Sequence, residues 1–240
     1  MTMRLVIIGN GMAATRLVEM LTASGSARFA ITVIGDEPVH AYNRIQLSPV
    51  LSGEKAFAAT VLHTDEWYSE RNITVLRGER VNEVDLTARQ LRTDRHLLAW
   101  DELVFATGSV PFIPPVPGHD LPHVKAFRTL ADVEAILAGT GPAVVLGGGV
   151  LGVEAAAALR LRGDGVTLVN RSEWLMEQQL DAQAGTLLAG HLQARGIECA
   201  LCAGISEINP SSVTLTTGQV VAATRVLMAT GVRPAIALAE

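Results

Sequence analysis

Apolar runs and helical spacings alternate along this chain. Residues 4–8 form a short apolar run that reads as a buried strand. Residues 11–23 follow with Ala14, Leu17, Val18 and Leu21 on one helical face. A second apolar run, 30–34, stops at Gly35-Asp36-Glu37-Pro38. Together these predict a β–α–β unit. Residues 39–60 show no regular period. The pattern over 63–71 predicts a helix, with Thr64, Asp65 and Glu66 offering caps and acids at its start. Residues 73–76 read as a strand, 80–85 and 90–93 alternate as a hairpin, and 102–106 form another buried strand.

Pro111, Pro114, Pro115 and Pro117 then interrupt the pattern and predict a stiff extended connection. The plan repeats beyond it: a helix at 131–137, strand 143–146, helix 150–162, strand 166–169, helix 180–195, and short strands at 197–201, 212–216, 219–221 and 225–229. Ala106-Thr107-Gly108 closes the first half and Ala229-Thr230-Gly231 the second. The expected class is α/β, with two Rossmann-like, doubly wound dinucleotide-binding domains. The first spans 1–112 and the second 113–235.

Each half opens with a glycine-rich turn between a strand and a helix. The first holds Gly9, Gly11 and Ala14; the second holds Gly147, Gly149 and Gly152. In such a turn the first glycine bends sharply out of the strand, the second lets backbone amides approach a pyrophosphate, and the third position stays small for helix–sheet packing. The phosphates lie at the helix N-terminus, here Met12 and Ala13 or Val150 and Leu151. Two such turns predict two dinucleotides. Asp36 or Glu37 can accept from an adenosine ribose after the first unit. After the second unit stand Asn170 and Arg171, with no carboxylate at that place. Arg171 can pair with a 2′-phosphate, a charge-assisted bond of about 1.5–3 kcal/mol, which leans the expectation towards NADPH or dual use. Glu173 nearby works against it.

Composition narrows the field. With 49% hydrophobic residues and a net charge of −5, the 240-residue chain has ample core and no basic face for nucleic acid. No uninterrupted apolar stretch suits a membrane span, and the first strand starts too early for a signal peptide, so no membrane association and a cytoplasmic location are expected. Cys199 and Cys202 are the sole cysteines; within a predicted strand they point to opposite faces and read as core or edge residues. The six histidines lack ligand spacing, so no metal site is expected.

These motifs resemble the FAD-dependent pyridine-nucleotide oxidoreductases. Three stretches carry the likeness: Ile8 to Met12; Asp36-Glu37-Pro38 with Ala41 to Ser48; and Gly147 to Ala156 with Leu175 to Asp181. Within that family the chain is most similar to the N-terminal part of the bacterial NAD(P)H nitrite reductase large subunit. The resemblance implies FAD on the first turn, with Arg44 and Ser48 along its path, the Val81 backbone at the adenine, and Ala106, Thr107 and Gly108 at the flavin nucleotide. It implies NAD(P)H on the second turn, with Glu154 near the nicotinamide carboxamide and Gly231 in the matching closing phrase. Glu154 reads equally well as an acid in the first helical turn, favoured by the dipole. Ferredoxin reductases of this layout have a lysine where this chain has Pro49, and the absence of cysteine before Cys199 excludes thiol chemistry at the flavin.

In this family a return segment completes the FAD domain, and the resemblance implies that 236–240 begin that return to the first domain. On that comparison the chain, ending at Glu240, is expected to be C-terminally truncated and to lack the cysteine-rich regions for an iron–sulfur cluster and sirohaem. The expected function is an NAD(P)H oxidoreductase module that passes electrons through FAD to a downstream iron–sulfur/sirohaem domain or subunit. The alternatives are a reductase of a small electron carrier, rubredoxin or ferredoxin, and a truncated nucleotide-binding fragment without turnover. No general acid or base is expected, because the cofactors carry the chemistry.

Overall fold

A computed structural model describes residues 2–23 and 28–240. The chain divides into two compact units. One comprises Met1–Arg44, Ala58–Val110 and Pro234–Glu240; the other comprises Ile45–Phe57 and Pro111–Arg233. The polyproline connection thus coincides with a division. The structure also assigns 45–57 to the second unit, and the return to the first unit starts at Pro234 rather than 236.

The first unit begins β1 (Met3–Ile8), α1 (Met12–Ala23) and β2 (Phe29–Gly35). After α2 (Leu47–Ser52), which belongs to the other unit, it continues with α3 (Asp65–Ser69), β3 (Thr74–Arg77), β4 (Val81–Asp85), β5 (Gln90–Thr93), β6 (Leu97–Ala99) and β7 (Glu102–Phe105). The main sheet is wholly parallel in the order β3-β2-β1-β7, and β4-β5-β6 form an antiparallel meander. Leu5 and Ile7 pack with α1 through Ala14 and Val18, while Val6 and Ile8 pack with Leu91 and Trp100 on the other face. Burial on both faces explains why β1 reads as a continuous apolar run without alternation. Helix α3 is shorter than the pattern over 63–71 suggests, and Thr64 at its N-cap makes no side-chain cap bond.

In the second unit, β9 (Val124–Ala126), α4 (Leu130–Ala138), β10 (Ala143–Leu146), α5 (Val150–Leu161), β11 (Val166–Val169), α6 (Ala182–Ala194), β12 (Ile197–Ala200) and β16 (Arg225–Met228) build a parallel sheet in the order β12-β11-β10-β16-β9. A meander of β13 (Ile205–Asn209), β14 (Ser212–Leu215) and β15 (Val220–Ala222) precedes β16. The caps are explicit. Thr129 and Asp132 form a reciprocal capping box on α4, and Asp181 accepts from Ala184 N–H at 2.8 Å on α6. Short strands β8 (Ser109–Pro111) and β17 (Val232–Pro234) pair with each other.

Two sequence expectations need correction. The segment 39–60 is not irregular: it carries α2, whose Leu47 and Leu51 are buried one turn apart. Helix α2 packs on α5 and α4, and Pro49 sits in its first turn, where a helix needs no N–H. The strand expected through Cys202 ends at Ala200; Cys202 is exposed in a left-handed turn with φ of 53°, and both thiols are free. Burial raises the Cys199 thiol above its ordinary pKa. Among the described residues, no helix is long and apolar enough to cross a membrane.

Candidate nucleotide-binding sites

The same loop is built twice. Gly9 leaves β1 with φ of 114° and Gly147 leaves β10 with φ of 115°. A β-carbon on Gly9 would lie 2.1 Å from the Ala106 carbonyl oxygen, and one on Gly147 would lie 2.3 Å from that of Ala229. Gly9 N–H donates to Ile34 (2.8 Å) and Gly147 N–H to Val169 (2.9 Å). In each sheet the strand order reverses at this point, between β1 and β7 and between β10 and β16. That is the crevice where open α/β sheets bind ligands.

Gly11 and Gly149 differ in kind from Gly9 and Gly147. A β-carbon at either would meet nothing within 4 Å, and neither has a positive φ. Their own unit's packing therefore gives no reason for a glycine there, whereas a pyrophosphate lying against the backbone does. The following helices leave their N–H ends available. No carboxylate stands in the first turn of α1 or α5, and Gly149 caps α5 without a side-chain bond. Met12, Ala13, Val150 and Leu151 are exposed at these ends. The third positions are tight: Ala14 is buried, and a β-carbon on Gly152 would lie 1.8 Å from the Gly147 carbonyl oxygen. Both turns thus fit the phosphates of a dinucleotide.

In the first unit, Asp36 follows β2 directly and is exposed, with no partner among the described residues. Glu37 is engaged: it accepts from the Tyr42 hydroxyl at 2.8 Å and pairs with Arg44. Arg44 also donates to the Tyr42 hydroxyl at 2.9 Å. The open carboxylate is therefore Asp36. Val81 is buried at the start of β4; just before it, Gly78 N–H donates to Glu37 and Glu79 N–H to Gly35, which brings the Val81 strand to the acidic end of β2. Thr107 donates through Oγ1 to the Ala235 carbonyl at 2.7 Å, and Ala235 N–H donates to Gly108 at 3.0 Å. The closing phrase of this unit thus holds the returning chain.

In the second unit, Asn170 is buried and turned inward. Its Oδ1 accepts the Gly148 N–H at 3.1 Å, and its Nδ2 donates to the Trp174 carbonyl at 2.9 Å. The Gly148 carbonyl accepts from Met176 N–H at 2.8 Å. Asn170 therefore braces the glycine turn. Arg171 is exposed and makes no hydrogen bond or ion pair among the described residues. Gly231 is exposed, has φ of 100°, and its carbonyl accepts from Phe112 N–H at 3.0 Å. Glu154 is the fifth residue of α5, beyond the first turn, so the dipole reading of it fails. Its Oε2 instead accepts the Ser48 hydroxyl at 2.8 Å. Ser48 belongs to the same unit as Glu154.

The family model of the pyridine nucleotide-disulphide oxidoreductases matches residues 3–240. The chain belongs to this family. Its members are flavoprotein oxidoreductases that use FAD and a pyridine nucleotide. The chain is 40% identical over 239 residues to nitrite reductase [NAD(P)H] of Bacillus subtilis, covering 96% of this chain and 30% of that protein. It is 37% identical over 244 residues to the assimilatory nitrate reductase electron transfer subunit of the same organism, covering 98% and 32%. The chain thus spans about a third of the length of these relatives. Among solved structures, the covalent putidaredoxin reductase–putidaredoxin complex superposes with a TM-score of 0.91 at 26% identity, covering 99% of this chain and 60% of that one.

Sequence reasoning missed two relationships here: the Asn170 brace and the Ser48–Glu154 bond. The first had a visible signal, an amide at the end of β11 where the motif expects an acid. The second joins residues 106 positions apart and had none.

Proposed function

We propose that this chain takes reducing equivalents from NAD(P)H on the second unit and delivers them, through FAD on the first, to an iron–sulfur or sirohaem centre in the manner of assimilatory nitrite reduction. The observation that carries this reading is the duplicated turn, with space in front of Gly11 and Gly149 that packing does not require. FAD and the nicotinamide, when bound, would supply the hydride and single-electron chemistry. The residues of the chain bind and orient. Gly9, Gly11 and the start of α1 hold one pyrophosphate, and Asp36 accepts from its adenosine ribose. The Val81 backbone meets the adenine, and Ala106 to Gly108 line the flavin nucleotide. Gly147, Gly149 and the start of α5 hold the other pyrophosphate, and Arg171 meets a 2′-phosphate. Glu154 accepts from the carboxamide of the nicotinamide. No side chain is required as a general acid or base.

The test is anaerobic addition of NAD(P)H to the FAD-loaded protein. Loss of the visible absorbance of oxidised flavin supports the reading, and unchanged absorbance with both cofactors bound defeats it. A second reading, reduction of a small iron–sulfur carrier, is favoured by rhodocoxin reductase of Rhodococcus erythropolis, 32% identical over 248 residues. Rapid reduction of added rubredoxin or ferredoxin, with none of nitrite, would select it.

A further inference from the structure

We propose that Ser48 is a positioning residue for the nicotinamide cofactor, fixing the Glu154 carboxylate through the 2.8 Å bond from its hydroxyl to Oε2. This rests on the reading of Glu154 as the acceptor for the carboxamide. Helix α2 offers α5 an otherwise apolar face, with Leu47 and Leu51 buried, and Ser48 is the buried polar group beside them. The neighbours of Glu154 on α5 are small (Gly152, Ala155 and Ala156 are buried), so α2 comes close enough for a short side chain to reach the acid. A helical serine commonly turns its hydroxyl back to the carbonyl four residues earlier. Ser48 is the second residue of α2, after a single 3-10 turn at Arg44–Gln46, and its hydroxyl reaches across to Glu154 on α5 instead.

The consequence is pre-organisation. An unrestrained glutamate loses rotamer freedom when a ligand orders it. Glu154 meets part of that cost in the folded protein, and Oε1 is left without a partner among the described residues.

The test uses the complete gene product and calorimetric binding of two oxidised ligands, the natural nicotinamide dinucleotide and its 3-acetylpyridine analogue, whose methyl ketone has no amide N–H. Glu154→Ala is expected to weaken the natural ligand about tenfold and to leave the analogue unchanged. Ser48→Ala is expected to weaken the natural ligand alone by about threefold to fivefold, and to add nothing in the Glu154→Ala background. If Glu154→Ala discriminates between the ligands while Ser48→Ala does not, the positioning role is overturned and the reading of Glu154 survives. If Ser48→Ala weakens both ligands alike, with or without Glu154, its role is packing only and the proposal falls. If Glu154→Ala does not discriminate, the carboxamide reading fails, and the role of Ser48 fails with it.

Discussion

Asn170 Oδ1 accepts the backbone N–H of Gly148 from 22 residues away, at 3.1 Å and within the protein interior. The middle residue of the second glycine turn is thereby held from the end of the neighbouring strand. Asn170→Ala leaves a buried N–H and the Trp174 carbonyl without their partners. The expected loss is about 1–3 kcal/mol in stability, read from urea unfolding. Asn170→Asp keeps the acceptor but removes the donor to Trp174, and it places a carboxylate at 5% exposure. It should therefore also destabilise the protein, rather than supply a simple ribose ligand for NADH.

The second and third glycines of the turn should separate binding from folding. Gly149→Ala adds a methyl that meets nothing in the folded chain. Its stability cost is confined to the helix cap, about 1 kcal/mol or less. Binding of NAD(P)H should nevertheless fall more than about tenfold, because the methyl stands where the pyrophosphate approaches. Gly152→Ala drives its methyl into the Gly147 carbonyl and should cost ~3 kcal/mol in thermal unfolding.

Arg171 breaks no internal bond when it is removed. Arg171→Ala should change stability by no more than about 0.5 kcal/mol. The ratio of kcat/KM for NADPH over NADH should fall by roughly ten- to a hundredfold, the worth of one charge-assisted phosphate contact. An unchanged ratio would take Arg171 out of the cofactor site.

A pH effect is expected at the opposite end of the first sheet. Asp101 accepts from Arg4 N–H at 2.7 Å, and from Arg4 Nε and Nη2 at 3.1 and 2.8 Å. These bonds, with the charge of the guanidinium, hold its carboxyl down to about 2 from an ordinary 3.8. The folded state thus binds the proton less readily than the unfolded chain. The contribution of Asp101 is complete above pH 3.8 and is lost as pH falls through about 2. Asp101→Asn should flatten the acid side of the stability profile in that window, measured as urea midpoints between pH 5 and 2.

Strands buried on both faces, such as β1 and β10, announce themselves as unbroken apolar runs, and the glycine turns have fixed spacing; these parts were legible in the sequence. Helix α2 was not, because six residues give too few repeats for a period and Pro49 masks the helical spacing of Leu47 and Leu51. Packing against α5 and α4, rather than intrinsic propensity, accounts for it. The choice between Asp36 and Glu37 also lay outside local reasoning. It required seeing Glu37 taken up by Tyr42 and Arg44.

The thirteen residues from Ile45 to Phe57 leave the unit that precedes and follows them in the chain, so the polypeptide passes between units four times. No single cut frees a whole nucleotide module. An expression boundary at the polyproline connection would strip the second unit of Leu47 and Leu51 and expose the side of α5 they cover. Anyone grafting the pyridine-nucleotide half onto another flavoprotein must carry this small insert along with it.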